Sequence, residues 1–327
     1  MPLGEFDLIQ RYFSRPVRRA VLGVGDDCAL LAPAPGQQLA LSGDLLVEGR
    51  HFLSTVPPQA LGHKALAVSL SDLAACGAAP IAFMLMLALP RVDETFLRGF
   101  ADGLYALAEQ HGIELVGGDT TAGPLTIGIT VMGEVPPGQA LRRDAARVGD
   151  DLWVSHAPGG GIGDARLALE VLRDRAQVDG GAFASLRCAM EWPQPRVALG
   201  LALRGVAHAA IDLSDGLCGD LGHVLARSRV GAEIDWAALP RSAVLAAQPA
   251  ALQEQCLLGG GDDYELLFSA PPSARAAVQR AAEVAGVAAT RIGSVQADAG
   301  LRVRTPDGRV MPRPAHGFDH FADGDRL

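Results

Sequence analysis

The stretch IDLSDGLCGD, residues 211–220, sets Asp212, Asp215 and Asp220 within ten residues that otherwise read as the end of a β-strand and the start of a helix. Strands interleaved with helices in this way build α/β and α+β domains. Further strand-to-helix junctions lie upstream. DLWVSHAPGG (151–160) reads as a strand, and GDARLALEVLRDR (163–175) as a helix. In the N-terminal half, LGHKALAVSLSDLAACGAAP (61–80) predicts a helix with Leu66, Leu70, Leu73 and Gly77 on one face, stopped by its closing Gly and Pro. A second stripe, Ala65, Ser69, Asp72 and Cys76, is small or polar, which sets Asp72 along a closely approachable groove.

The apolar run IAFMLMLAL (81–89) predicts a strand, and residues 94–110 a helix with Leu97, Phe100, Leu104 and Leu107 in register, closed near Gly112. IELVGGDTT (113–121) is a strand running into a glycine turn and Asp119, and LTIGITVMGEV (125–135) alternates as a strand does. The loop PPGQALRRDAARVGD (136–150) holds the domain boundary, giving domains 1–138 and 139–327. Leu-Ser-Asp at 70–72 and 213–215, with Gly-Gly-Asp at 117–119 and 260–262, are equally spaced in the two halves. Two related halves explain that echo; so does coincidence between short words.

With 327 residues, 49% of them apolar, the chain is long enough for two cored domains. Its net charge of -9 argues against a nucleic-acid or anionic-membrane surface, though an acidic protein still binds phosphates through metal ions. The run at 81–89 is under half the length needed to cross a bilayer. The N-terminus MPLGEFDLIQ carries acids where a secretory signal carries bases, so the expected location is the cytoplasm. Cys28, Cys76, Cys188, Cys218 and Cys256 are scattered, with no C-x-x-C pair, and read as reduced thiols.

Acids at element ends recur: GVGDDCALL (Asp26, Asp27), LSGDLLVEGRHF (Asp44), LSDLAACGA (Asp72), GGDTTAGP (Asp119), IDLSDGL (Asp212, Asp215) and GGGDDYELLF (Asp262, Asp263). A helix cap or turn explains any one of them. Together they call for something else, because two carboxylates about 4–5 Å apart repel by roughly 3–4 kcal/mol at an effective dielectric near 20. Protons or cations must hold such a set, and an all-oxygen set without matching His or Cys suits Mg²⁺, which also binds substrate phosphates. Lys64 is the one lysine, so no Walker A loop exists. GGGIGDAR (159–166) has Arg166 where a dinucleotide fingerprint has its third glycine, and Ser214 lacks the glycines of a nucleophile elbow.

GEFDLIQRYF, GVGDDCALL, VEGRHF, KALAVSLSDLAACGAAP, GGDTTAGP, AIDLSDGLCGDLGH, GGDDYELLF and HGFDHF, in this order across nearly the whole chain, resemble the thiamine-monophosphate kinase family. The resemblance implies the two-domain aminoimidazole ribonucleotide synthetase-like fold: an N-terminal α/β domain whose sheet pairs with its twin in a dimeric barrel, and a C-terminal α+β domain, with ATP between them. It implies phosphorylation of thiamine monophosphate to thiamine diphosphate with ATP and several Mg²⁺ ions, and it allows K⁺ as a further ion. Metal ligands then fall on Asp27, Ser42, Gly43, Asp44, Asp72, Asp119, Asp212 and Asp215. ATP contacts fall on Tyr105, Gly118, Asp119, Arg143 and Ser214, and thiamine phosphate contacts on His51, Asp262 and Phe318. The expected assembly is a homodimer.

Three positions depart from the family pattern. Gly43 stands where Thr is usual, Asp262 where Glu is usual, and Ser69 where Asn is usual in the stripe that aims Asp72. The expected chemistry needs no general base, since a phosphate monoester with a second pKa near 6 is already ionised at neutral pH. A relative acting on another acceptor, such as selenophosphate synthetase, and a nucleotide-binding scaffold without catalysis are the competing readings.

Overall fold

The computed structural model describes residues 4–311. Phe318 and the HGFDHF motif lie outside the described residues. Among the described residues the chain forms two compact units. The first takes in residues up to Leu73 together with Ala78–Gly138, and the second takes in Ala74–Gly77 and the residues from Gln139 onward.

The first unit begins with the short helix α1 (Glu5–Leu8) and the small hairpin β1 (Ala20–Leu22) and β2 (Leu30–Leu31). There follow β3 (Gln38–Val47), α2 (Pro58–Cys76), β4 (Ala79–Leu89), α3 (Glu94–His111), β5 (Glu114–Ala122) and β6 (Thr126–Val135). The four longer strands make an open sheet in the order β3-β6-β4-β5, antiparallel except for the β4–β5 pair. One face of it carries the core, with Phe83, Leu85, Leu87, Ile127, Ile129 and Val131 all buried. The other leaves large apolar side chains in solvent: Leu39 is 48% exposed, Leu41 65%, Leu45 59% and Met84 38%.

The α2 helix is buried on nearly every side, with Lys64 and His63 enclosed along with Leu66, Leu70 and Leu73. A helix buried on nearly all sides is one that the fold surrounds, and its polar groups face other protein groups rather than water. It lies so close to α3 that a Cβ on Gly103 would come within 1.9 Å of the Gln59 carbonyl oxygen, and one on Gly62 within 2.0 Å of the Phe100 oxygen. The α3 helix starts at Asp93, whose carboxylate accepts the Thr95 and Phe96 N–H groups, and stops at Gly112 with φ 61°. Its stripe of Leu97, Phe100, Leu104 and Leu107 is buried as the periodicity predicts.

The second unit comprises β7 (Asp151–His156), α4 (Asp164–Leu172), α5 (Gly180–Glu191), α6 (Val197–Ala202), β8 (Ala209–Asp212) and α7 (Leu217–Ser228). It continues with β9 (Gly231–Asp235), α8 (Ala243–Ala246), α9 (Ala250–Gly259), β10 (Leu266–Ala270), α10 (Arg275–Val284), β11 (Ala288–Gln296) and β12 (Gly300–Arg304). Its six strands run β12-β9-β11-β7-β10-β8, a mixed and open sheet. Inside it, Glu265 is buried and accepts from Ser155 Oγ at 2.5 Å and Arg196 Nε at 2.7 Å, so the charge is paired and its oxygens occupied.

The repeated words do not mark repeated structure. Leu-Ser-Asp lies inside α2 at 70–72 but in the turn between β8 and α7 at 213–215, and Gly-Gly-Asp lies inside β5 at 117–119 but in coil before β10 at 260–262. Equal spacing therefore arises from unlike elements.

The Gly62 and Gly103 contacts make the α2–α3 distance a stability determinant. Gly103→Ala is expected to destabilise the chain by roughly 1–3 kcal/mol through overpacking, read as a lower urea midpoint with unchanged slope; an unchanged midpoint would show that the two helices are free to part.

Candidate active site

In the first unit, the small stripe of α2 faces β3. Ser42 and Asp44 alternate on β3 with the exposed Leu41, Gly43 and Leu45, and so share the core side of the sheet. There the Ser69 hydroxyl donates to Asp44 Oδ2 at 2.6 Å, and the Ser42 hydroxyl donates to Asp72 Oδ2. Two carboxylates from different elements thus stand together, each held by a hydroxyl from the opposite element. Burial, then the charge of Asp72, pushes the Asp44 pKa up to about 6, against the pull of the Ser69 hydroxyl. Ser69 thus fixes one oxygen of the Asp44 carboxylate.

The remaining first-unit candidates are more dispersed. Across the sheet, Asp44 aligns with Ile129, Leu85 and Gly118, so Asp119, the next residue of β5, is three strand spacings away, roughly 14 Å. Asp27 is exposed between β1 and β2, with its N–H bonded to Asp26 Oδ1 at 2.8 Å. Gly118 has φ 145° and presses on β4: a Cβ there would lie 1.8 Å from the Leu85 oxygen. Gly43 lies on the exposed side of β3 and has no side chain, so only its backbone carbonyl is left as a ligand atom.

His51 sits in the turn after β3, where its Nδ1 accepts the Val47 N–H at 3.0 Å. In the neutral ring the proton is then on Nε2. Tyr105 is buried, its hydroxyl donating to the Phe13 oxygen at 2.9 Å and its ring covered by the Arg15 guanidinium at 3.5 Å. Burial pushes its pKa up to about 12, opposed by Arg15.

In the second unit, the opening decapeptide is the junction its sequence predicts. Asp212 ends β8 and is buried, Ser214 is exposed in the turn, and Asp215 precedes α7. The glycine-rich segment before β10 lies against this turn: the Asp262 N–H bonds the Ser214 oxygen at 2.9 Å, and the Tyr264 N–H bonds the Leu213 oxygen at 2.8 Å. A Cβ on Gly261 would stand 2.1 Å from the Ser214 oxygen, so glycine is required there. Asp262 and Tyr264 take φ of 72° and 52°, backbone that non-glycine residues rarely adopt. Asp212, Ser214, Asp215 and Asp262 therefore share one corner.

Asp220 completes that corner from the first turns of α7. Burial, then Asp212 and Asp215, pushes its pKa up to about 8, against backbone N–H donors. Sequence reading singled out its proximity to the other acids but gave it no role. The structure also separates the two neighbouring arginines. Arg142 is paired with Asp144, at 2.8 Å from Nε and 2.5 Å from Nη2, whereas the exposed Arg143 is fixed by its backbone, its oxygen accepting from Ser228 Oγ at 2.9 Å. Among the described residues no group of three or more His, Cys, Asp or Glu side chains is close enough to hold a metal ion.

The fold is that of a known family. Residues 25–135 match the AIR synthase related protein, N-terminal domain, and residues 147–305 match the AIR synthase related protein, C-terminal domain; the chain belongs to the AIR synthase related family. Within it, the chain belongs with the thiamine-monophosphate kinases. It is 44% identical to the Salmonella typhimurium thiamine-monophosphate kinase, over 98% of this chain and 99% of that one. It is 45% identical to that of Escherichia coli K12, over the same shares of the two chains. The crystal structure of thiamine-monophosphate kinase from Stenotrophomonas maltophilia matches with a TM-score of 0.84 at 44% identity, covering 95% of this chain and 99% of that one. A structure of AaThiL complexed with AMPPCP and TMP matches with a TM-score of 0.76 at 30% identity, covering 89% of each chain. Hydrogenase maturation protein HypE of E. coli shares the fold, with a TM-score of 0.76 at 22% identity, covering 98% of this chain and 97% of that one.

The Asp44–Asp72 pair carries a pH signature. Asp44 holds its proton to about 6 in the folded chain, against an ordinary aspartate value of 3.8, so the folded form binds the extra proton between those values and loses stability as pH rises through them. In the absence of divalent cations, the stability difference between the wild type and Asp44→Asn is expected to fall across that window and level off above it. Denaturant midpoints at stepped pH measure this; parallel profiles would remove Asp72 as a close neighbour of a buried Asp44.

Proposed function

We propose that the chain transfers the γ-phosphoryl group of ATP directly to thiamine monophosphate, giving thiamine diphosphate and ADP, the last step of thiamine diphosphate formation. The observation that carries this reading is near-full-length similarity at 44–45% identity to thiamine-monophosphate kinases, together with a related structure complexed with AMPPCP and TMP. HypE shares only the fold, so it does not favour another acceptor.

The donor set in the first unit fits Mg²⁺. Ser42, Asp44 and Asp72 offer hard oxygens, and the raised pKa of Asp44 marks crowded negative charge that a cation would relieve. Pairs of carboxylates, rather than a closed cage, suit an ion that reserves positions for water and substrate phosphates. Asp44 and Asp72 would hold such ions in residues 1–138, and Asp212 and Asp215 in residues 139–327, with Asp27 and Asp119 as further ligands. Bound there, Mg²⁺ would supply charge neutralisation between two anionic reactants.

The chain's own residues bind and align. Ser69 and Ser42 hold the paired carboxylates, so little reorganisation is needed when substrate arrives. Arg143, with its guanidinium fork outside the Arg142–Asp144 pair, is suited to grip two phosphate oxygens. Ser214 and Gly118 would approach the nucleotide through backbone and hydroxyl; Tyr105, buried with its hydroxyl on the Phe13 oxygen and Arg15 over its ring, is assigned to ATP by the family resemblance alone. His51, Asp262 and Phe318 take the vitamin. The incoming phosphate oxygen is already ionised at neutral pH, so no residue serves as general base.

The exposed sheet face bearing Leu39, Leu41, Leu45 and Met84 is the surface on which a second copy docks, closing two open sheets into a dimeric barrel. No helix of the described residues is long and apolar enough to cross a membrane. The cytoplasm is the location we propose, on the acidic N-terminal stretch MPLGEFDLIQ.

The purified chain with thiamine monophosphate, ATP and Mg²⁺ is expected to form thiamine diphosphate, and Asp72→Asn to abolish turnover with its circular dichroism intact. A near-normal rate in that variant would take Asp72 out of the metal site. Replacing Leu41 and Leu45 together by Lys is expected to convert a dimer to monomer in sedimentation; a wild type that is monomeric at micromolar concentration would refute the docking surface.

A further inference from the structure

We infer that Asp220 is a positioning residue for phosphoryl transfer, which sets the backbone of residues 214–216 so that Ser214 and Asp215 meet the nucleotide; this rests on the kinase reading above. One oxygen of its carboxylate, Oδ2, accepts the N–H groups of Ser214 at 3.1 Å, Asp215 at 3.1 Å and Gly216 at 3.0 Å. The residue is 2% exposed.

Helix capping accounts for only one of these three contacts. A side chain in the first turn of a helix can reach back to the N–H of the cap residue, here Gly216, whereas the commoner capping side chain stands at the cap itself and satisfies N–H groups of the first turn. Here the residue before α7 is Gly216, which has no side chain to cap with, and Asp220 lies inside the helix and reaches back. Two of its three donors, Ser214 and Asp215, lie before the residue where a cap belongs. They are the two residues assigned to ATP and metal.

The same turn is pinned from its other side. The Asp262 N–H holds the Ser214 oxygen, and the Tyr264 N–H holds the Leu213 oxygen. Gly216, at φ 107°, passes so near the 259–260 backbone that a Cβ would lie 2.7 Å from the Gly260 oxygen. Donors on one side are thus gathered by Asp220, and acceptors on the other by the segment before β10. Convergent N–H groups in a turn would otherwise form a small anion-binding concavity. Occupied by Asp220, that concavity is closed to phosphate, and the Ser214 hydroxyl and Asp215 carboxylate are left as the groups the turn presents.

The test compares Asp220→Ala with Asp220→Asn, whose amide oxygen still accepts N–H groups. Asp220→Ala is expected to lower kcat/KM for ATP by about a hundredfold, the size of effect of a misplaced catalytic contact, with KM for thiamine monophosphate near that of the wild type. Asp220→Asn is expected to recover most of the ATP term. Wild-type ATP kinetics in Asp220→Ala, or an equal loss in both variants that follows their melting temperatures, would overturn the assignment.

Hydrogen exchange on the unliganded wild type supplies a readout independent of whether the variants fold. The amides of Ser214, Asp215 and Gly216 are expected to be protected, and rapid exchange at all three would overturn the assignment. A wild type that exchanges as expected but leaves thiamine monophosphate unphosphorylated would refute the kinase reading instead.

Discussion

The constraint on which the rest depends is electrostatic: carboxylates that repel one another are held side by side where water is scarce. Asp44 faces Asp72 between a strand and a helix, and Asp220 sits with Asp212 and Asp215 at a second junction. Folding alone gains nothing from such pairs. Burial first, and the neighbouring carboxylates second, raise the pKa of Asp44 to about 6 and that of Asp220 to about 8, so both groups take up protons more readily than an ordinary aspartate. Each group is also tied down by donors, Ser69 and Ser42 in one case and the 214–216 backbone in the other. The carboxylates are therefore fixed before any cation arrives, and a reaction between two anions is the chemistry that benefits.

The surrounding architecture serves that placement. The stripe of small residues on α2 lets β3 come near enough for hydroxyl-to-carboxylate contact, while the glycine contacts with α3 hold the helix from behind. In the second unit, α7 makes two contacts along its length. Its first turns shape the Ser214–Asp215 turn, and Ser228 at its end anchors the Arg143 backbone. Glycines occur where backbone must touch backbone, as at Gly118 against Leu85 and Gly261 against Ser214.

Much of this was legible in the sequence, because helix and strand periodicities are strong in these segments. The stripes of α2 and α3, the apolar strand at 81–89 and the junction at 211–220 all follow from local pattern. The small stripe also foretold that Asp72 faces something close. What it faces was not legible, since Ser42 arrives from a strand thirty residues earlier through sheet register. For the same reason the word echo misled: identical triplets fall in a helix in one place and a turn in the other. Asp220 looked like one more acid in a cluster, because a side chain reaching backward to loop amides leaves no periodic trace. That Arg142 pairs with Asp144 was likewise not legible, since it depends on side-chain geometry.

If cations replace protons at these carboxylates, binding and proton release are coupled. Calorimetric titration of the chain with Mg²⁺ and a non-hydrolysable ATP analogue at pH 6, repeated in buffers of different ionisation enthalpy, counts the protons displaced on binding. Net proton release is expected, diminished in Asp44→Asn. Binding heats that do not depend on the buffer would contradict the exchange of protons for cations.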